Sequence, residues 1–163
     1  MDYLTSAVII GAGATAVMDV WAIIRQRLLG LAPPNYGLVG RWIGHMPQGR
    51  FRHASIAAAP SVPGERLIGW IAHYLIGIAF ACALLGIWGL AWVRQPSIGP
   101  ALIVGIATVA APFLLMQPGM GAGIAASRTP RPGAARLQSL VTHAVFGLGL
   151  YAGGWIARLL HSA

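Results

Sequence analysis

The chain has 163 residues, of which 57% are hydrophobic and 9% charged, and its formal net charge is +8. Soluble domains carry about 25% charged residues, so this inventory cannot coat a water-facing surface and a soluble enzyme is excluded. A pI near 11.4 suits a nucleic-acid binder, but the placement of the basic residues described below accounts for the charge without one.

Four segments, residues 4–29, 67–93, 98–117 and 137–160, are each apolar over the roughly 20 residues that a bilayer core requires. The fold class they predict is all-α integral membrane: a four-transmembrane-helix bundle in one domain. The first segment is read as a retained helix. Its start, Met1-Asp2-Tyr3, lacks the basic region of a secretory signal, and no small-residue cleavage site follows it. Within it, Gly11-Ala12-Gly13-Ala14-Thr15-Ala16 imitates a dinucleotide fingerprint but has no strand before it and no acid at the required distance, so helix packing explains it.

The loop over residues 30–65 is rich in Pro and Gly, yet Leu38, Val39, Trp42, Ile43 and Met46 recur at helical spacing. This pattern predicts a short interfacial helix. The second segment contains the lone Cys82, so neither a disulfide nor a cysteine metal cluster is available. A tight turn, Arg94-Gln95-Pro96-Ser97, leads to the third segment. There Pro112 predicts a kink and the run from Met116 to Gly123 predicts unwinding near Pro118, because proline removes a donor and glycine costs backbone entropy. Arg66-Leu67, His73 and Gly77 recur in the fourth segment as Arg136-Leu137, His143 and Gly147, a weak repeat offset by 70 residues.

All eleven basic residues are arginines. Arg25 and Arg27 close the first segment, Arg41, Arg50, Arg52 and Arg66 lie between it and the second, and Arg128, Arg131 and Arg136 lie between the last two. Only Arg94 and Arg158 fall on the other side. By the positive-inside rule this asymmetry places both termini in the periplasm and the basic loops in the cytoplasm of a bacterial inner membrane. The partners it predicts are the lipid bilayer and its anionic headgroups, with no nucleic acid. Absence of lysine points to a GC-rich bacterial genome. Four helices are few for a transporter, so a homo-oligomer fits, of an order the sequence does not fix.

Ionisable side chains inside a span cost about 2.5–3.5 kcal/mol at its centre and mark function by default. Asp19, His73 and His143 each lie six or seven residues from a cytoplasmic arginine, a common depth of about 10 Å. Met116 and Gln117 reach a similar level. Each lies on a stripe of small residues that favours close helix approach: Gly11, Thr15 and Asp19; Gly69, His73 and Gly77; Ser139, His143 and Gly147. A shared polar site of Asp19, His73, Met116, Gln117 and His143 is therefore expected, against the bland alternative of interhelical glue. Asp19, His73 and His143 with thioether suit a transition metal, two histidines suit haem, and without either the set suits a proton relay. The loop adds Arg41, His45, Met46, Arg50, Arg52, His53 and Glu65. An alternative reading is a membrane-embedded enzyme for a lipid or phosphate-bearing substrate, with His53, Glu65 and His73 as acid–base groups and Arg41, Arg50 and Arg52 holding phosphate. An accessory structural subunit is the third.

Met18-Asp19, Gly40-Arg41-Trp42, His45-Met46, Gly49-Arg50-Phe51-Arg52-His53, Gly64-Glu65, Gly69-Trp70, His73-Tyr74, Met116-Gln117-Pro118-Gly119-Met120-Gly121, Ala126-Ser127-Arg128 and His143 together carry a resemblance. Over nearly its whole length the chain resembles small bacterial membrane proteins catalogued as domain of unknown function twenty-nine thirty-eight. The resemblance implies location and architecture, and no activity.

Overall fold

The structure, a computed structural model, describes residues 2–162, and among these all regular secondary structure is helical. Helix α1 (Tyr3–Leu29) is capped by Asp2, whose carboxylate accepts from the Thr5 amide at 2.8 Å. It ends at Gly30 in the left-handed region. Helix α2 (Tyr36–His45) is the short helix expected in the first loop, started by the Asn35 side chain accepting from the Gly37 amide.

Helix α3 (Glu65–Trp88) starts two residues earlier than expected and ends five earlier. At its start Val62 and Glu65 exchange bonds, the Val62 amide donating to Glu65 Oε2 and the Glu65 amide to the Val62 carbonyl. Its end is set by Gly89, at φ 70°, which stops a run that is apolar on both sides. Trp92 and Val93, expected in the span, instead lie in the short helix α4 (Ala91–Arg94), where both are buried.

The third candidate span runs from Ile98 to Met120. It begins as α5 (Ile98–Ala107), passes through a π-helical turn (Pro112–Met116) and finishes as α6 (Gln117–Met120). Pro112 has no N–H to return to the Thr108 carbonyl four residues back, and the α-helical ladder is interrupted there. The unwinding expected near Pro118 does not occur. The π turn, with the Gln117 amide bonded to the Pro112 carbonyl, carries the helix past Pro118 to Gly121, where φ 97° stops it. Helix α7 (Pro132–Ser162) starts five residues before the expected span, with proline at the first helical position.

The residues gather into two compact units. The first comprises the described chain up to Pro33, Tyr74–Thr108 and the chain from Val141 onward. Its helices meet backbone to backbone. A Cβ on Gly11 would fall on Ile78, one on Gly105 on Gly147, one on Gly149 on Ala14 and one on Gly153 on Ile10. The small-residue stripes are thus packing surfaces. Between them lies a core that includes Ile10, Ala14, Leu84, Leu85, Val104, Phe146 and Leu150. Leu4, Ile23, Leu75, Ile87, Ile103 and Leu159 are exposed on the same helices, an outward apolar shell that a hydrocarbon solvent tolerates and water does not. Four helices are long and apolar enough to cross a membrane.

The second unit comprises Pro34–His73 and Val109–Leu140. Here α2 lies directly on the first turns of α3. A Cβ on Gly40 would overlap the Glu65 carbonyl, and one on Gly69 the Tyr36 carbonyl. Residues 51–54 run against residues 119–121: the His53 amide donates to the Gly119 carbonyl at 2.9 Å, and a Cβ on Gly121 would overlap the Ala54 carbonyl.

Candidate functional site

In the first unit two polar pairs each tie two of the long apolar helices together. The Tyr74 hydroxyl on α3 donates to Asp19 Oδ2 on α1 at 3.0 Å. Between α5 and α7, Thr108 Oγ1 lies 3.0 Å from His143 Nδ1. Thr108 donates its single hydroxyl proton to the Gly105 carbonyl at 2.6 Å, so the imidazole must be the donor in the pair. Neutral His143 therefore carries its proton on Nδ1 and keeps the Nε2 lone pair.

In the second unit His73 stacks on Tyr36, ring centroids 4.1 Å apart, with Trp70 edge-on at 5.9 Å. Met116 closes the π turn and Gln117 follows it. The Gln117 side-chain oxygen is buried without a hydrogen-bond partner. Asp19 and His143 thus fall in one unit and His73, Met116 and Gln117 in the other. Among the described residues no three His, Cys, Asp or Glu side chains are gathered so as to hold a metal ion.

The loop residues build a second constellation. Arg41 grips Glu65 with two parallel bonds, Nε to Oε2 and Nη2 to Oε1, both 2.8 Å. Its Nη1 donates to the carbonyls of Ala57 and Ala59. One guanidinium thereby fixes the loop to the start of α3. The bond to Glu65 raises the guanidinium pKa further, so its charge is permanent.

His45, at the end of α2, is 3% exposed, and its Nδ1 lies 2.8 Å from His53 Nε2. The ring centroids are 5.0 Å apart, a separation that two ring radii laid end to end with the nitrogen–nitrogen distance account for. The nitrogens therefore face each other along a shared N–H, and their lone pairs do not converge on a third point. Burial, then Arg50 and His53, hold the His45 pKa below the ordinary histidine value. Arg50 and Arg52 are exposed on the surface, and Met46 opens the 3-10 turn (Met46–Gln48) after α2.

The model of the family described as a protein of unknown function, DUF2938, matches residues 8–157. The chain belongs to that family. No curated protein and no solved structure matches it. The family match spans every helix-joining pair described above, from Asp19 to His143.

Tyr36, Trp70, Tyr74 and Thr108 are not among the residues expected at the site, yet they are what Asp19, His73 and His143 touch. Two of them carry a signal. A tyrosine hydroxyl inside a span needs an acceptor, and Tyr74 is one residue from His73. Thr108 stands four residues before Pro112, where a carbonyl loses its donor. Tyr36 and Trp70 read only as interfacial aromatics.

Proposed function

We propose that this DUF2938 member is a polytopic membrane protein that binds and passes protons among its spanning helices. The observation that carries the reading is the bond from the Tyr74 hydroxyl to the Asp19 carboxylate within a span. An ionisable group at that depth is costly and is retained where it has work to do. Tyr74 O–H, Thr108 O–H and the His143 ring are groups that both give and take protons, which suits a relay. Asp19 is the group that takes the proton, and Tyr74 sets its orientation. His143 supplies the second titrating site.

The same reading sets the second unit at the cytoplasmic interface. It holds seven of the eleven arginines and one acid, Glu65, which is tied to Arg41. Such an excess of positive charge suits anionic headgroups.

Purified protein reconstituted into vesicles containing a pH-sensitive dye tests the function. An imposed potential should acidify wild-type vesicles faster than protein-free ones. Asp19→Asn should abolish the excess flux while still inserting, and Tyr74→Phe should lower it. Flux equal in wild type and Asp19→Asn would overturn the reading. Near-stoichiometric metal or a haem band in protein purified without chelator would favour a metal or haem carrier instead.

A further inference from the structure

The histidine pair at the end of α2 has chemistry that the proton-passing reading does not use. His45 Nδ1 and His53 Nε2, 2.8 Å apart, share one N–H, which either ring can donate. His53 Nδ1, on the far side of its ring, is buried and has no hydrogen-bond partner. One proton can be added to the outer nitrogen of the donating ring without touching the bond between the rings. A second has only the acceptor nitrogen of that bond to go to, and two imidazolium rings cannot share an N–H.

The groups around the pair oppose that second proton. Arg50 and Arg41 both act on His45 with the same sign as burial. The acid Glu65 is engaged by Arg41. The turn packed on His53, Gln117–Met120, and the 3-10 turn Ile56–Ala58 contribute no titratable side chain. What the bond restrains is equally defined. Residues 49–54 leave α2 through Gly49, at φ 74°, carry exposed Arg50, Phe51 and Arg52, and dock on residues 119–121 beside His53.

We propose that His45 and His53 form a proton-operated latch that holds the arginine-bearing segment 49–54 on the Gly119–Gly121 turn and releases it when both rings are protonated. The latch stays shut through the first protonation and opens at the second. Acidification on the side of the membrane that carries this loop therefore frees Arg50 and Arg52 from a fixed position. The latch is independent of Asp19.

Hydrogen exchange of the full-length protein in detergent micelles tests this, read on peptides covering residues 49–54 and 117–123. Rates are compared at about pH 7.5 and about pH 5, which bracket the ordinary histidine range. After correction for intrinsic chemistry, wild type should lose protection by at least about tenfold at the lower pH, as expected for a local opening. His53→Gln keeps a donor and an acceptor without a charge and should stay protected at both; Asp19→Asn should behave as wild type. Wild-type protection that does not change, or an equal acid-induced loss in His53→Gln, would overturn the proposal. If His53→Gln does not fold, nitrogen-15 shifts of the wild-type rings decide. The rings should take up two protons in separate steps, the second coinciding with the loss of protection, and two rings titrating independently, or a ring that stays neutral while protection is lost, would refute the latch.

Discussion

Arg41 does more with one side chain than any other residue of the loop. It closes a two-bond fork on Glu65 and reaches three loop carbonyls, those of Ile56, Ala57 and Ala59, with its remaining nitrogen. Lysine offers a point charge and no planar fork, so Arg41→Lys retains the charge but not the geometry. The expected order of thermal destabilisation in detergent is Arg41→Ala, then Arg41→Lys, then the exposed Arg50→Ala, which should lie near wild type. Arg41→Lys unfolding at the wild-type temperature would show that charge alone suffices. His45 makes a second residue-scale prediction. Its pKa is lowered in the folded protein by burial, Arg50 and His53, so the unfolded chain binds the proton more readily. Stability is then fully present above the ordinary histidine value, near 6.5, and falls as the pH drops through it toward the lowered one. Replacing His45 by Gln should flatten that part of the stability–pH curve.

At the scale of elements, glycine identity is set by what lies across from each position. Gly11 and Gly13 are two residues apart on α1, yet a Cβ at Gly11 would overlap the backbone of α3 while one at Gly13 would meet nothing. Gly11→Ala should cost about 1–3 kcal/mol through forced separation of two helices. Gly13→Ala should be neutral, or stabilising by up to about 1 kcal/mol from helix propensity. Equal effects in denaturation of the two variants would refute the packing described. The sequence repeat resolves in the same terms. Gly77 and Gly147 are both close-approach points, against Thr15 and Leu102. Their histidines have different partners, since His73 packs on Tyr36 and His143 bonds to Thr108. The repeat marks a shared way of packing helices.

For the whole molecule, the arginine distribution predicts topology and lipid dependence. In a Cys82→Ser background, single cysteines at Asp2 and Ser97 should be labelled from outside intact cells by an impermeant reagent. Those at Gln48 and Pro130 should be labelled only after permeabilisation. Outside labelling at Gln48 would reverse the orientation. The exposed arginines of the second unit predict that phosphatidylglycerol raises Tm more than phosphatidylcholine does. Added salt should shrink that difference, because exposed charges more than about 8 Å apart are screened at physiological ionic strength.

Composition and hydropathy alone determined the number of helices long and apolar enough to cross a membrane, and arginine positions their expected orientation, because the apolarity of some 20 successive residues and the charge bias of loops are local properties of a chain. The short helix after Asn35, the interruption at Pro112 and the small-residue faces were legible for the same reason: each follows from propensity and spacing within a few residues. Helix ends were less so, since Gly89 cuts an apolar run that hydropathy cannot divide, and the π turn carries a helix across Pro118 where proline rules end it. The partners of the polar residues needed the tertiary structure. Asp19 with Tyr74, His143 with Thr108, Arg41 with Glu65 and His45 with His53 are separated by 8 to 55 positions. Which acceptor a side chain finds at such separations depends on how closely two backbones approach, and glycines at the crossings decide that only once the helices have packed.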